Sequence, residues 1–224
     1  MRINDDLTVR AAVHSARLPW VPSPTAGVDR RMLFRIGAEK ARATTIVRYA
    51  PGSTFPRHIH GGGEEYLVLD GTFQDEHGDY PAGSYVRNPP GSAHTPASAP
   101  GCTIFVRLWQ FRADDRELVV RLPGEGDAMP ARPGVGAERV LFNSSNEQVR
   151  IETWQARRSI TIENNRGLEL LLLSGGFEQE NERFEAGSWL RLPPGHNLNA
   201  VTAGQEALVW LKDAPLLDPE VCPF

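Results

Sequence analysis

Apolar residues fall in short runs that alternate with polar ones, as at Thr44 to Tyr49, Tyr66 to Leu69, Thr103 to Leu108 and Val149 to Trp154. Successive side chains of a strand point to opposite faces, so each run predicts a strand with one face on a core. The 21 glycines and 18 prolines punctuate these runs, the texture of an all-β chain with many turns. Leu7 to Ala16 is the one sustained helical candidate. Its Thr8, Val9 and Val13 suit extended backbone equally well, and the segment is read as a strand.

The pattern also repeats. At an offset of 104 residues, Leu67-Val68-Leu69-Asp70-Gly71-Thr72-Phe73 falls on Leu171-Leu172-Leu173-Ser174-Gly175-Gly176-Phe177. The run Ala82-Gly83-Ser84-Tyr85 through Pro89-Pro90-Gly91 falls on Ala186-Gly187-Ser188-Trp189 through Pro193-Pro194-Gly195. One barrel-sized unit has been duplicated, and the expected division is 1–112 and 113–224. At 224 residues the chain has the length for two such units.

Composition narrows the picture further. The 24 basic and 28 acidic residues leave a mild net charge of −4, with no basic run for nucleic acid and no polybasic helix for a membrane. No apolar signal core or 18-residue apolar run is present, and Cys102 and Cys222 are the only cysteines. A cytoplasmic protein with two reduced thiols is expected.

The candidate chemistry lies in two stretches, Pro51 to Glu64 and Pro89 to His94. His58 and His60 stand two apart on a strand, about 6.5 Å between α carbons, and reach the same side. Gly61-Gly62-Gly63 permits a tight reversal, after which Glu64 faces back. His94 follows a Pro-Pro-Gly turn. His58, His60, Glu64 and His94 are therefore the expected ligands of one divalent metal ion. In the second copy these positions become Ile162, Asn164, Leu168 and Leu198, so the donors disappear together while the turns persist. His196 and Glu169 fall off the ligand register, and the second barrel is expected to be metal-free. Imidazole and carboxylate suit zinc, iron, manganese, nickel and copper. Zinc is the first expectation, with iron or manganese as the alternative.

Several neighbours keep two readings. Tyr66 and Val68 share a face with Glu64 and should line the first barrel. Phe55, Tyr85, Trp109 and Phe111 form either an aromatic pocket or ordinary core. Glu65 should point outward, with His77 and His14 in solvated positions. Arg48, Arg87 and Arg107 pair either an anionic substrate or buried acids.

The stretches resemble the two cupin motifs: Gly52, His58, His60, Glu64 and Gly71 match the first, and Gly83, Pro89, Gly91 and His94 the second. Trp20-Val21-Pro22-Ser23-Pro24, Val47 to Ser53 and His94-Thr95-Pro96 resemble, more narrowly, the cupin domain of ChrR-type anti-sigma factors. The resemblance implies tandem jelly-roll barrels, a bicupin, often paired as homodimers. No His-x-x-x-Cys-x-x-Cys run precedes the barrel, so it implies a metal-centred domain that senses or binds a small molecule, without the zinc domain that would hold a sigma factor. The alternatives are a metal-dependent dioxygenase acting on a small diketone or hydroxyketone, and a structural metal barrel without catalysis.

Overall fold

The structure, a computed structural model, describes residues 1–38 and 40–223. Their regular elements are strands in antiparallel ladders, with a single 3-10 turn at Ser15–Arg17 and no α-helix among the described residues. The fold is the all-β architecture that the alternation predicts.

The chain forms two compact units. The first comprises Met1–Asp5, Pro19–Gly124 and the C-terminal segment from Pro219, and the second comprises Asp6–Leu18 and Glu125–Asp218. This differs from a cut at 112/113, because one strand from each half completes the other unit. Ala11–His14 pairs with Ser188–Leu192 in the second unit, and Val119–Arg121 pairs with Tyr85–Asn88 in the first. The two exchanged strands occupy matching places in the repeat. Hydrophobic pattern alone cannot assign such a strand, since either copy offers it the same partner edge. The segment 7–16 holds a shorter strand than expected, Ala11–His14, which runs into the 3-10 turn.

In the first unit the strands run in the order Val28–Gly37, Ala41–Tyr49, Cys102–Leu108, Glu64–Asp75 and Tyr85–Asn88. Its core gathers Val28, Val47, Tyr66, Val68, Phe73, Tyr80, Ile104 and Val106. Tyr66 and Val68 are each 1% exposed, so they line the interior as their register with Glu64 predicts. The ladder between Glu64–Asp75 and Cys102–Leu108 slips by one residue: Ile104 faces Val68, whereas Thr103 faces Asp70. Leu69 is the extra residue, and the bulge returns the odd-numbered Phe73 and Asp75 to the face that carries Glu64 and Tyr66.

The second unit repeats the arrangement around an apolar core that includes Trp154, Leu168, Phe177, Phe184, Leu190, Leu198 and Leu211. Leu168 and Leu198, at two of the four vacated ligand positions, are core residues, with Ile162 beside them. Asn164, 1% exposed, does different work. Its amide nitrogen donates to the carbonyls of Leu192, Pro193 and His196 at 3.2, 2.8 and 3.1 Å, and its oxygen accepts from Gly167 N–H at 2.8 Å. The slot that holds an imidazole in one copy ties two loops together in the other.

Candidate metal centre

The site stands where three short segments of the first unit meet. His58–Ile59 pairs with Ala93–His94, which sets His94 directly opposite His58. The chain then stays on this edge through His60 N–H donating to Ser92 O at 2.9 Å and Gly91 N–H donating to His60 O at 2.9 Å. Glu64 opens the following strand, opposite Asn88 on one neighbour and Leu108 on the other.

The three glycines in between serve more than a reversal. Gly63 has φ +77°, a conformation that L side chains avoid. A β carbon on Gly62 would lie 2.2 Å from Cδ1 of Trp109, and one on Gly63 would lie 2.4 Å from Cγ of Phe111. The bare backbone is thus a floor on which the two rings lie. Trp109 itself sits at φ 59°, held by its N–H donating to Gly63 O at 3.1 Å and its indole donating to Pro223 O at 2.8 Å.

His58, His60, Glu64 and His94 come together. One ligand atom from each lies within 4.8 Å of the other three. His58 Nε2 and His60 Nε2 are 3.2 Å apart, and Glu64 Oε2 is 3.4 Å from His60 Nε2 and 3.3 Å from His94 Nε2. His60, Glu64 and His94 are buried, and His58 is half-buried.

Every ring is fixed from behind. His58 Nδ1 faces Pro56 O at 3.0 Å, and His94 Nδ1 faces Asp75 Oδ2 at 3.0 Å. Both partners are pure acceptors there, so Nδ1 carries the proton. His60 Nδ1 faces Ser92 Oγ at 3.0 Å, and the Ser92 hydroxyl donates to Pro89 O at 2.6 Å, which leaves its oxygen to accept. The Asn88 amide donates to Glu64 Oε2 at 3.2 Å. All three imidazoles therefore turn an Nε2 lone pair toward one point, beside a carboxylate.

Such an arrangement sets like charge against like unless something positive lies between. His94 Nε2 is buried without a hydrogen-bond partner, which is costly for an imidazole nitrogen. Burial pushes the His60 imidazole below its ordinary range, outweighing the pull of Glu64. Burial acts the same way on His94, but its bond to Asp75 and the nearby Glu64 carboxylate lift it above that range. The donors fit a divalent cation: three neutral imidazoles and one carboxylate, each positioned by an outer hydrogen bond, as is usual for metal-ligating histidines.

His58, His60 and Glu64 also line a cavity of about 340 Å³ inside the first unit, with Tyr49, Phe55 and Trp109 on its wall. Of the four aromatic residues with two readings, Phe55 and Trp109 face this space. Tyr85 is buried and donates its hydroxyl to Glu65 at 2.5 Å, and Phe111 lies 4.4 Å beneath the Arg87 guanidinium.

Other expectations need correction. Glu65 leaves the metal side as its register requires, but it is not solvated; it is 1% exposed and bound by Arg107 Nη1 at 2.6 Å. Arg87 pairs with Asp115 at 2.8 Å, and Arg48 pairs with Asp29 at 2.7 Å, so all three strand arginines serve acids of the fold. His14 is half-buried, between Ser188 Oγ and Glu182 Oε1 at 3.0 Å each. Those partners arrive only through the exchanged strand. His77 is exposed at its hairpin turn as expected, and His196 pairs with Glu180 at 2.7 Å, away from any ligand group. Asp75, Ser92 and Asn88 carry no spacing signal in the sequence that marks them as partners of the cluster.

Comparison with known proteins places the fold. Residues 8–112 match the family described as the ChrR cupin-like domain. No curated protein matches the chain in sequence. Among solved structures, a candidate dioxygenase from Nostoc punctiforme superposes with a TM-score of 0.72 at 14% identity, covering 97% of this chain and 87% of that one. The bacterial pirin YhhW from Escherichia coli, solved in complex with nickel(II), gives a TM-score of 0.68 at 10% identity, covering 93% and 100%. A variant of Bacillus subtilis oxalate decarboxylase gives 0.63 at 11%, covering 92% and 77%. At these identities the likeness establishes fold. No helix among the described residues is long and apolar enough to cross a membrane. The chain thus has the two-barrel cupin fold, and its residues 8–112 match the ChrR cupin-like domain.

Proposed function

We propose that the first unit is a divalent-metal centre that binds, and in the manner of a ChrR-like domain senses, a small molecule in the adjoining cavity. The carrying observation is the convergence of three Nε2 lone pairs and one carboxylate oxygen around a buried point that includes the unpartnered His94 Nε2. His58, His60, Glu64 and His94 would hold the ion, and Asp75, Ser92, the Pro56 carbonyl and Asn88 would orient them. A bound ion would act as a Lewis acid toward an oxygen donor and, if redox-active, would exchange electrons with dioxygen. The protein's own contribution is the aim of the ligands, an apolar wall that excludes water, and access. Because His58, His60 and Glu64 lie on the cavity wall, a molecule there can approach the ion, which favours a binding centre over a purely structural one.

Zinc is the ion we expect in this role. A cobalt-substituted protein tests the reading through its visible absorption. Bands that shift as a small chelating diketone is added support an accessible centre. Bands indifferent to every diketone and hydroxyketone added, at full metal occupancy, support the closed structural barrel instead.

A second reading, a dioxygenase for diketones or hydroxyketones, draws on the same access and on the fold shared with the Nostoc punctiforme protein. Iron-loaded protein in an oxygen electrode decides it. Substrate-dependent uptake that disappears in His60→Ala establishes catalysis, and zinc-bound protein without uptake after iron loading rejects it for the ketones tested.

A further inference from the structure

We infer that Trp109 is the specificity-determining wall of the metal cavity, the side chain that limits the bulk of a molecule able to reach the ion. This deepens the proposed function and rests on it for the ion and for access to it.

The two copies share the backbone of this corner. Trp109 N–H donates to Gly63 O and Phe111 N–H to Gly62 O, at 3.1 and 3.4 Å. In the second copy Ala214 N–H donates to Gly167 O and Leu216 N–H to Arg166 O, at the same distances. One side-chain contact also persists. A β carbon on Gly63 would lie 2.4 Å from Phe111 Cγ, and one on Gly167 would lie 2.4 Å from Leu216 Cγ. Phe111 therefore serves the barrel in either copy. Trp109 and the bare floor at Gly62 do not persist. Their places are taken by Ala214 and by Arg166, which pairs with Asp213 at 3.0 Å. Indole and floor stand together in the copy that carries the four candidate ligands, and the needs of the barrel do not account for them.

The indole is also held in place against its own backbone preference. Trp109 has φ 59°, a conformation that a bulky residue seldom takes unless its surroundings impose it. Three contacts do so. The ring lies on Gly61 and Gly62, where a β carbon would fall 2.8 and 2.2 Å from its atoms. Lys40 Nζ stands 4.7 Å from the ring centre. The indole N–H donates to Pro223 O at 2.8 Å. Pro223 arrives on the C-terminal segment, where Cys222 N–H donates to Phe111 O and Ala113 N–H to Glu220 O, both at 2.9 Å. Thus fixed, the half-buried ring lines the same cavity as His58, His60 and Glu64. A ring pinned on its face and at its edge selects by shape, because it cannot swing aside for a larger molecule.

Cobalt-loaded protein and two chelating diketones of unequal bulk, acetylacetone and dibenzoylmethane, test this through the visible absorption bands. The reading is the ratio of their affinities. Trp109→Ala should shift that ratio about tenfold toward dibenzoylmethane, with cobalt content and circular dichroism as in the wild type. Trp109→Phe, a smaller ring on the same floor, should shift it about threefold the same way. A ratio unchanged in both variants overturns the inference, and so does an equal gain for both diketones, which is loosening without selection. If Trp109→Ala does not fold, Trp109→Phe decides. A wild type that takes up no cobalt, or holds it closed to both diketones, sinks the proposed function separately. Diethyl pyrocarbonate on chelator-treated protein then decides, with the modified histidines located by mass spectrometry. His60 should react several-fold faster in Trp109→Ala while His196, in the second unit, keeps its rate. An unchanged rate at His60 overturns the inference.

Discussion

Asp75 shows how a single carboxylate can set the properties of a candidate metal site from outside the ligand cluster. It accepts from His94 Nδ1 at 3.0 Å, fixing the tautomer that leaves Nε2 free to bind. Burial would raise the Asp75 carboxyl, but the bonds from His94 and from the His77 backbone hold it below its ordinary range, so it stays an acceptor. Replacing it by Asn keeps the shape and removes the charge. Asp75→Asn should weaken metal binding by about 10–100-fold in a competition titration against a chromophoric chelator, with the fold retained. Unchanged affinity would mean that His94 needs no such partner. The four candidate ligands were legible from spacing alone, since His-x-His and a glycine reversal allow few other geometries. Asp75 was not. Counting alternately from Glu64 puts it on the wrong face, and only the bulge at Leu69 brings it round. His14 was misread for a related reason: its partners Ser188 and Glu182 are more than 160 residues away in sequence.

Loops and turns carry the difference between the two copies. In the first, Gly61-Gly62-Gly63 lies flat beneath Trp109 and Phe111, between the segments that carry His60 and Glu64. Gly62→Ala would drive a methyl into the indole of Trp109, whose backbone is in the left-handed region and whose ring nitrogen is tied to Pro223 O. We expect a loss of about 1–3 kcal/mol in denaturant unfolding, together with lower metal content. An unperturbed variant would show that Trp109 is free to move. In the second copy Asn164 supplies by hydrogen bonds what an ion would supply in the first. Asn164→Ala removes the amide's bonds to three carbonyls and leaves the buried Gly167 N–H without its acceptor, and should cost about 1–3 kcal/mol of stability, with metal content unaffected. No loss would mean that water takes over the amide's bonds. The sequence showed that Asn164 stands in a ligand slot. Its role as a tie between loops depends on which carbonyls lie near, and no local pattern records that.

At the level of the whole molecule, the duplication explains both what could be read and what could not. Matching turns and apolar positions at a fixed offset disclosed two barrels of one kind, and the loss of all four candidate donors in one of them marks the other as the place to look for a metal. The same symmetry hid the exchange of Ala11–His14 and Val119–Arg121, because each strand satisfies either copy's edge. Metal binding should also register as stability. An ion at a hundred times its dissociation constant contributes about 2.7 kcal/mol. For a chain of this size that corresponds to a rise of about 5–10 °C in Tm. Differential scanning calorimetry with and without chelator reads it directly, and a melting profile indifferent to chelator would argue that no ion is part of the folded state.

The most direct test is elemental analysis of the purified chain and three variants, each checked by circular dichroism. One divalent ion per chain is predicted for the wild type and for His196→Ala, with a small fraction of that in His58→Ala and His94→Ala. A folded wild type without metal, or one whose metal content survives loss of His94, would contradict the account.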